Sequence, residues 1–220
     1  MALLGRAALA MWWNLTPALR SEFEDWHSHE HFPERMRVPG FLRGTRWSSA
    51  TGGDGFFVMY ELADYEILTS VPYRERLNSP TPWSTKMMPH HRNMVRSQCR
   101  VIESHGGGIA GSLLTMRFSP AVGEVETTRA RISDLLRQLP QVPGLTSGHL
   151  LHTETPQIAQ TTEQKIRGAD AAADWILLVG GYDLTTLDDL RSGTLSAASL
   201  GIVEPRYDTF RIAYSMTPAD

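Results

Sequence analysis

Asp25-Trp-His-Ser-His-Glu-His-Phe-Pro-Glu-Arg-Met-Arg-Val-Pro-Gly-Phe41 sets three histidines, two glutamates and a tryptophan at the end of a predicted helix and in the turn behind it. Pro17 suits the first helical position after the cap signals Asn14 and Thr16, so the helix is read over 17–31. Leu19, Phe23 and Trp26 mark its apolar side, and helical spacing carries that side on to His27 and Glu30. His29 falls on the solvent side with Glu22 and Asp25, while His31, just before Pro33, is free to turn either way. A polar side chain on an inward face costs free energy unless it is paired. A hydrogen-bonded core pair meets that need as well as a ligand pocket does. It is the clustering that favours a pocket.

The tail of the same stretch, Val38-Pro-Gly-Phe41, returns as Val142-Pro-Gly-Leu145, again directly after a helical pattern. Around the first copy lie a short apolar strand over 7–13 and a second strand over 44–49. A hairpin signal, Thr51-Gly-Gly-Asp-Gly55, leads into a third strand over 56–62. Two short helices, 64–77 and 82–92, are separated by Pro80-Thr-Pro82. A fourth strand over 94–103 alternates Val95, Ser97, Cys99 and Val101 with Arg96, Gln98 and Arg100. The order β-α-β-β-α-β is the ferredoxin-like arrangement.

Gly106-Gly-Gly108 marks a linker, and the order begins again. A strand over 112–118 precedes a helix over 121–139 with Val122, Val125, Ile132, Leu136 and Leu139 on one side. Strands over 148–153 and 175–182, a helix near 185–198 and a strand over 209–216 complete it. The segment 155–173, rich in Thr, Gln and Ala, reads as a long mobile loop. The chain therefore divides into two ferredoxin-like units, 1–105 and 106–220, expected to pack their antiparallel sheets into one α+β barrel within the chain.

Composition narrows the function. A chain of 220 residues with 41% hydrophobic and 20% charged residues has enough apolar material for a real core. A net charge of −3 gives no basic field for nucleic acid and no polybasic membrane patch. One cysteine, Cys99, forms no internal disulfide framework and reads as a small buried hydrophobe in a reducing compartment. The first thirteen residues carry one basic residue, Arg6, inside the apolar run, and Trp12-Trp13 stands where a cleavage site would need small residues. They read as a strand rather than a signal, and no stretch reaches the length of a membrane span. The expectation is a cytoplasmic protein that binds a small molecule.

The tandem units and the pattern Trp26-His27…Glu30-His31-Phe-Pro-Glu-Arg…Val38-Pro-Gly-Phe41, with Tyr60 near the end of a strand, resemble the dimeric α/β-barrel superfamily. Within it they are similar to the EthD-like branch, here as a fusion of two units. The resemblance implies sheets packed face to face with helices outside. It also implies small-molecule chemistry: muconolactone isomerases, polyketide cyclases and dehydratases, quinol-forming monooxygenases, and haem-degrading or haem-using enzymes share the fold. Exposed helices outside such barrels often pair, so a homodimer is one expected assembly.

The halves are unequal: six of the eight histidines and five of the six tryptophans precede residue 106. Aligning the two Val-Pro-Gly turns puts Arg131 where His27 stands and Leu135 where His31 stands, which locates the working pocket in the first unit. Three readings stay open. In cofactor-free proton transfer, His27 or His31 is the base, Glu30 orients it, and Arg96 or Tyr60 stabilises an enolate or carboxylate. Trp13, Trp26, Trp83, His90, His91 and Asn93 then line the substrate, a small planar, aromatic or carboxylated compound. In the second reading, His27 and His31, spaced i,i+4, hold haem or a divalent metal. In the third, the barrel binds a ligand without catalysis, or the polar residues are structural. His149 and His152 read as surface strand residues.

Overall fold

Strand β1 (Ala7–Asn14) is apolar on both faces, and this decides the architecture. Ala8, Ala10 and Trp12 pack among one group of buried residues, and Leu9 and Trp13 among another. A strand buried on both sides needs a layer on each. In the computed structural model, which describes residues 3–156, 159–168 and 170–219, one side is the interior of a closed barrel and the other is a layer of helices.

The remaining strands are β2 (Phe41–Ser49), β3 (Gly55–Leu62), β4 (Arg92–Gly106), β5 (Ser112–Pro120), β6 (Leu145–Thr153), β7 (Trp175–Gly181) and β8 (Ile202–Met216). They close in the order β1-β3-β2-β8-β5-β7-β6-β4, every neighbour antiparallel. Each half has the same internal order, β4-β1-β3-β2 and β8-β5-β7-β6, and the halves join through β2–β8 and β4–β6. This is two ferredoxin-like units forming one intrachain barrel. Its interior is filled by Trp12, Trp47, Phe57, Cys99, Ile176 and Phe210, among others, so it is a core and not a channel.

The repeated turn shows its purpose in the backbone. Gly40 and Gly144 follow the prolines with φ of +92° and +93°, a conformation that a Cβ disfavours. Four residues further on, Gly44 and Gly148 let the helix of each unit lie on its sheet. A Cβ at Gly44 would stand 2.2 Å from the Phe32 ring and 2.9 Å from the Tyr60 ring, and one at Gly148 would stand 2.6 Å from Leu136. Gly44→Ala is therefore expected to cost about 1–3 kcal/mol by overpacking. Thermal melts would show it as a fall of several degrees, and an unchanged melt would mean the helix is free to shift.

Two helical expectations need correction. The first helix does not stop at His31: a 3₁₀ turn (Pro17–Leu19), α1 (Arg20–Trp26), a π turn (His27–His31) and α2 (Phe32–Met36) run on without a break. Pro33 lacks the N–H that an α-helix would send back to His29. The chain widens there instead, and the N–H of Phe32 bonds the carbonyl of His27, five residues back. In the second unit, α5 (Val125–Gln138) buries Ile132 and Leu136, but Val122 and Val125 are exposed, because the helix begins only at Val125.

The outer layer of the first unit is completed by α3 (Val71–Asn78) and α4 (Pro82–Met87). The expected loop over 155–173 includes Gln157, Ile158 and Ala169, which lie outside the described residues. Its described part contains a helix, α6 (Thr162–Arg167), started by a capping box between Thr161 and Gln164. Asn78 accepts the N–H of Thr162 at 3.1 Å, and Ala171 bonds the backbone of Met94 and Arg96. An insertion of the second unit is thereby tied down over the first. The outer layer of the second unit ends with α7 (Leu184–Ser192) and α8 (Ala197–Leu200). Among the described residues no helix is long and apolar enough to cross a membrane.

Candidate functional site

The π turn aims two imidazoles at one place. His27 and His31 are 2% and 8% exposed, and their ring centroids lie 5.3 Å apart. Helical spacing continues the same face to Arg35, 3% exposed. Opposite them β3 brings Tyr60, β1 brings Trp13, and β4 brings Arg96. Tyr73 comes from α3, and His91 from the turn before β4. Glu163 and Arg167 of α6 close the remaining side. Together they enclose a space of about 30 Å³, the volume of roughly one water.

The polar groups around this space are strangely idle. His27 Nδ1, His31 Nδ1, both ring nitrogens of His91, the Tyr60 hydroxyl, Arg35 Nη1 and Arg167 Nε find no hydrogen-bond partner among the described residues. Buried polar atoms are nearly always satisfied, so this many around one void mark a place for water and, in its stead, a ligand. Burial, aided by Arg46, holds the His27 pKa well below the usual imidazole range, and burial with Arg35 does the same to His31. Burial and Arg167 push His91 down to about 3. All three rings are neutral at pH 7. Burial likewise raises the Tyr60 pKa, leaving the hydroxyl a neutral donor.

The charged groups of the site are Arg35, Arg96, Glu163 and Arg167, and Arg35 is the one beside the imidazoles on the same helix face. Burial works against its cation, but Glu163 more than offsets this and keeps the guanidinium protonated. Arg35 Nη2 donates to Glu163 Oε1. Arg167 lies 3.5 Å from the other oxygen of Glu163 and 3.0 Å from Asp170. Arg96 donates to the Tyr73 hydroxyl at 3.0 Å.

Of the residues singled out in the sequence, His27, His31, Tyr60, Arg96, Trp13 and His91 meet at this cavity. Trp26 backs it, its ring 4.7 Å from that of His31 and its indole N–H given to Ser84. The others do not line it. Glu30 accepts the hydroxyl of Thr81 at 2.5 Å, bracing the start of α4 rather than a histidine. Trp83 donates to Glu22 at 3.2 Å, and His90 is partly exposed at the end of the same helical region. Asn93 is exposed, at φ +54°, beside Asn14. It borders a separate cleft of about 830 Å³ at one end of the barrel. In that cleft Arg117 pairs with Asp208 and Arg191 with Asp188. His149 is not a surface residue: it is 4% exposed and shares a hydrogen bond with Ser104. Arg35, Tyr73, Glu163 and Arg167 join the site unannounced. Arg35 has a signal, the i,i+4 series 27, 31, 35, but it lies beyond Pro33, an ordinary helix stop.

In the second unit, the place of His31 is taken by Leu135 and that of Arg35 by Leu139, which packs in an apolar cluster. The counterpart of His27, Arg131, is exposed and donates to the Leu200 carbonyl, so the described residues build no polar cavity there. Among the described residues no group of three His, Cys, Asp or Glu side chains is placed to hold a metal ion. A planar ligand, haem included, is larger than the enclosed space, so one wall must yield to admit it.

The fold and this cavity define a ferredoxin-like α/β-barrel protein with a polar cavity against the helix of the first unit. The chain is similar over nearly its whole length to solved structures of that class. An anthrone oxidase-like protein aligns at TM-score 0.66 with 11% identity, covering 98% of this chain and 94% of that one. A candidate monooxygenase from Fusobacterium nucleatum aligns at TM-score 0.64 with 7% identity, covering 98% and 96%. A candidate chlorite dismutase aligns at TM-score 0.55 with 12% identity, covering 95% of each chain. No protein-family model matches the sequence, and no curated protein matches it. At such identities the likeness establishes the fold alone.

Proposed function

We propose that this chain is a small-molecule enzyme, a lyase or isomerase that moves a proton at carbon without a cofactor. The observation that carries the reading is the set of buried, neutral, unpartnered imidazoles beside a permanently charged arginine. A neutral imidazole is the basic form at pH 7. His31 or His27 takes the proton from a carbon next to a carbonyl, and the electron pair moves onto the carbonyl oxygen. Arg35, Arg96 or the Tyr60 hydroxyl holds the resulting enolate. Burial weakens these rings as bases, but an enolate forming beside the imidazolium supplies the counter-charge that burial denies it. Returning the proton to another carbon gives isomerisation; loss of a hydroxyl or carboxyl group gives dehydration or decarboxylation. Trp13, on the wall of the cavity, suits a small planar compound of catabolic or polyketide type. The resemblance of the helix motif supports an EthD-like member made of two fused units.

The likeness to an anthrone oxidase-like protein favours one variant. There the same carbanion gives its electrons to O₂, a CH₂ group becomes C=O, and water leaves. Haem or metal on His27 and His31 is the competing reading, and the first assay separates it. Metal analysis and an absorption spectrum of the purified protein should show neither stoichiometric metal nor a Soret band; either would overturn the cofactor-free reading. The second assay is deuterium exchange and O₂ uptake with anthrone and small β-keto acids. His31→Gln and His27→Gln are expected to fold and to lose about 10²-fold or more of turnover. Retained turnover in both would remove the imidazoles from the chemistry.

A further inference from the structure

The walls of the cavity are not equally fixed. Tyr60 and Trp13 stand on strands paired on both sides, Arg96 is paired to β1, and the π turn is locked by Phe23, Trp26 and Phe32, all 0% exposed. By contrast α6 reaches the site almost wholly through polar groups. Ile166 is its one apolar side chain in the neighbouring cluster, and it is only partly buried. Of the walls, α6 is the one outside the barrel ladders: its displacement gives up the Asn78 bond to Thr162 and empties little apolar surface, while Ala171 keeps the end of the segment on β4. A ligand larger than a water enters past it.

That displacement leaves an asymmetric charge. Glu163 departs together with Arg167, its i,i+4 partner, which is itself tied to Asp170, so the moving segment carries its own counter-ion. Arg35 stays behind. Glu34, next to it in sequence, turns to Arg76 at 3.7 Å, and Tyr60 and the three imidazoles are neutral. The other cation of the wall, Arg96, adds to the same sign. A buried guanidinium without a partner is costly, and a carboxylate is the group its fork of donors fits.

We infer that Glu163 is a resident carboxylate occupying the place of the ligand's own, and that the cavity takes an anionic substrate whose carboxylate replaces Glu163 on Arg35 as α6 moves aside. The inference deepens the proposed function by naming the substrate class of the same site. Arg35 already aims an unused donor, Nη1, at the space. Entry is then an exchange of one carboxylate for another at constant charge, whereas a neutral ligand would have to lift α6 and leave Arg35 bare. Arg35 anchors the ligand and Glu163 sets its charge.

The test is binding, read without turnover, with benzoate as the anion and benzamide as its neutral isostere. In calorimetry at pH 7, Glu163→Gln removes the competing carboxylate and is expected to bind benzoate at least tenfold more tightly than the wild-type protein, with no such gain for benzamide. Equal gains for both, or no benzoate binding by the variant, would overturn the exchange. The wild-type protein supplies an arm that does not depend on the variant folding. Saturating benzoate is expected to speed amide hydrogen exchange across Thr162–Arg167 and slow it across His27–His31. Bound benzoate with α6 exchange unchanged would also overturn it. Failure of the proton-transfer reading shows in the metal and absorption assay or in the turnover of the His31 and His27 variants, not in these binding arms, so the two failures are distinguishable.

Discussion

Taking the protein from pH 7 to pH 5 is expected to unfold it, or to bring it to the edge of unfolding, before most carboxylates titrate. Four histidines, His27, His31, His91 and His149, are buried in neutral form with pKa values below the ordinary 6.5. Burial is the main cause in each, and for His149 it acts with Arg43 to bring the value to about 4. Because the folded values are the lower ones, the unfolded chain binds more protons below pH 6.5, and stability falls as pH falls. Each group loses about 1.4 kcal/mol per pH unit once the pH is well below 6.5, so each contributes a loss of about 2 kcal/mol by pH 5. Four together approach 8 kcal/mol, against a total stability of about 5–15 kcal/mol for a typical domain. Glu61 and Glu34, whose pKa values burial raises, act in the opposite direction, but Glu34 is only half enclosed and two groups do not offset four. Urea unfolding at pH 7, 6 and 5 should give a slope of roughly three to four protons taken up on unfolding between pH 6 and 5. His91→Phe should lower that slope by about one. A stability flat across this range would mean that these imidazoles meet water.

The fold was legible because it is written twice. Val38-Pro-Gly and Val142-Pro-Gly mark the same turn in both copies, and strands apolar on alternating faces force a two-sided sheet. A barrel closed by β2–β8 and β4–β6 follows once two such sheets share one chain. Half of the site was legible for a related reason. His27 and His31 break an apolar helical face, and the second copy, with Leu135 and Leu139 in place of His31 and Arg35, shows what that face is when it carries no chemistry. The rest failed on two physical points. Pro33 is an ordinary helix stop, and only a π turn, which no residue pattern announces, lets the helix run past it and bring Arg35 inside. Glu30, inward by spacing, was rotated out by the same widening and serves α4. Glu163 and Arg167 could not be placed at all, since an i,i+4 pair in a polar segment reads as a solvated surface. Arg35, the partner of Glu163, lies 128 residues away in sequence.

Arg35→Met is expected to be the most damaging single change in the first unit. Methionine fills much of the volume of the arginine stem but leaves Glu163, 3% exposed, without its closest counter-ion. Removing one partner of a buried pair costs about 3–5 kcal/mol, because the remaining charge keeps its desolvation penalty. Arg167 at 3.5 Å is shared with Asp170 and replaces little of the loss. The chain has a cheaper way out than global unfolding: α6 detaches, takes Glu163 into water, and opens the cavity. The damage is therefore expected first as amide exchange across Thr162–Arg167 that is faster by about 10²-fold or more, with the barrel ladders far less affected. Arg35→Met/Glu163→Met removes both charges at once and should restore most of the lost stability, since a buried ion pair replaced by apolar side chains of similar size is often neutral or better. A double-mutant cycle gives the coupling directly. A strong positive coupling with protected α6 in the double variant would mean that Glu163 holds the cover shut through Arg35. If instead the two losses simply add, α6 is held by Asn78 and the Ala171 backbone bonds, and the ion pair is incidental to closure.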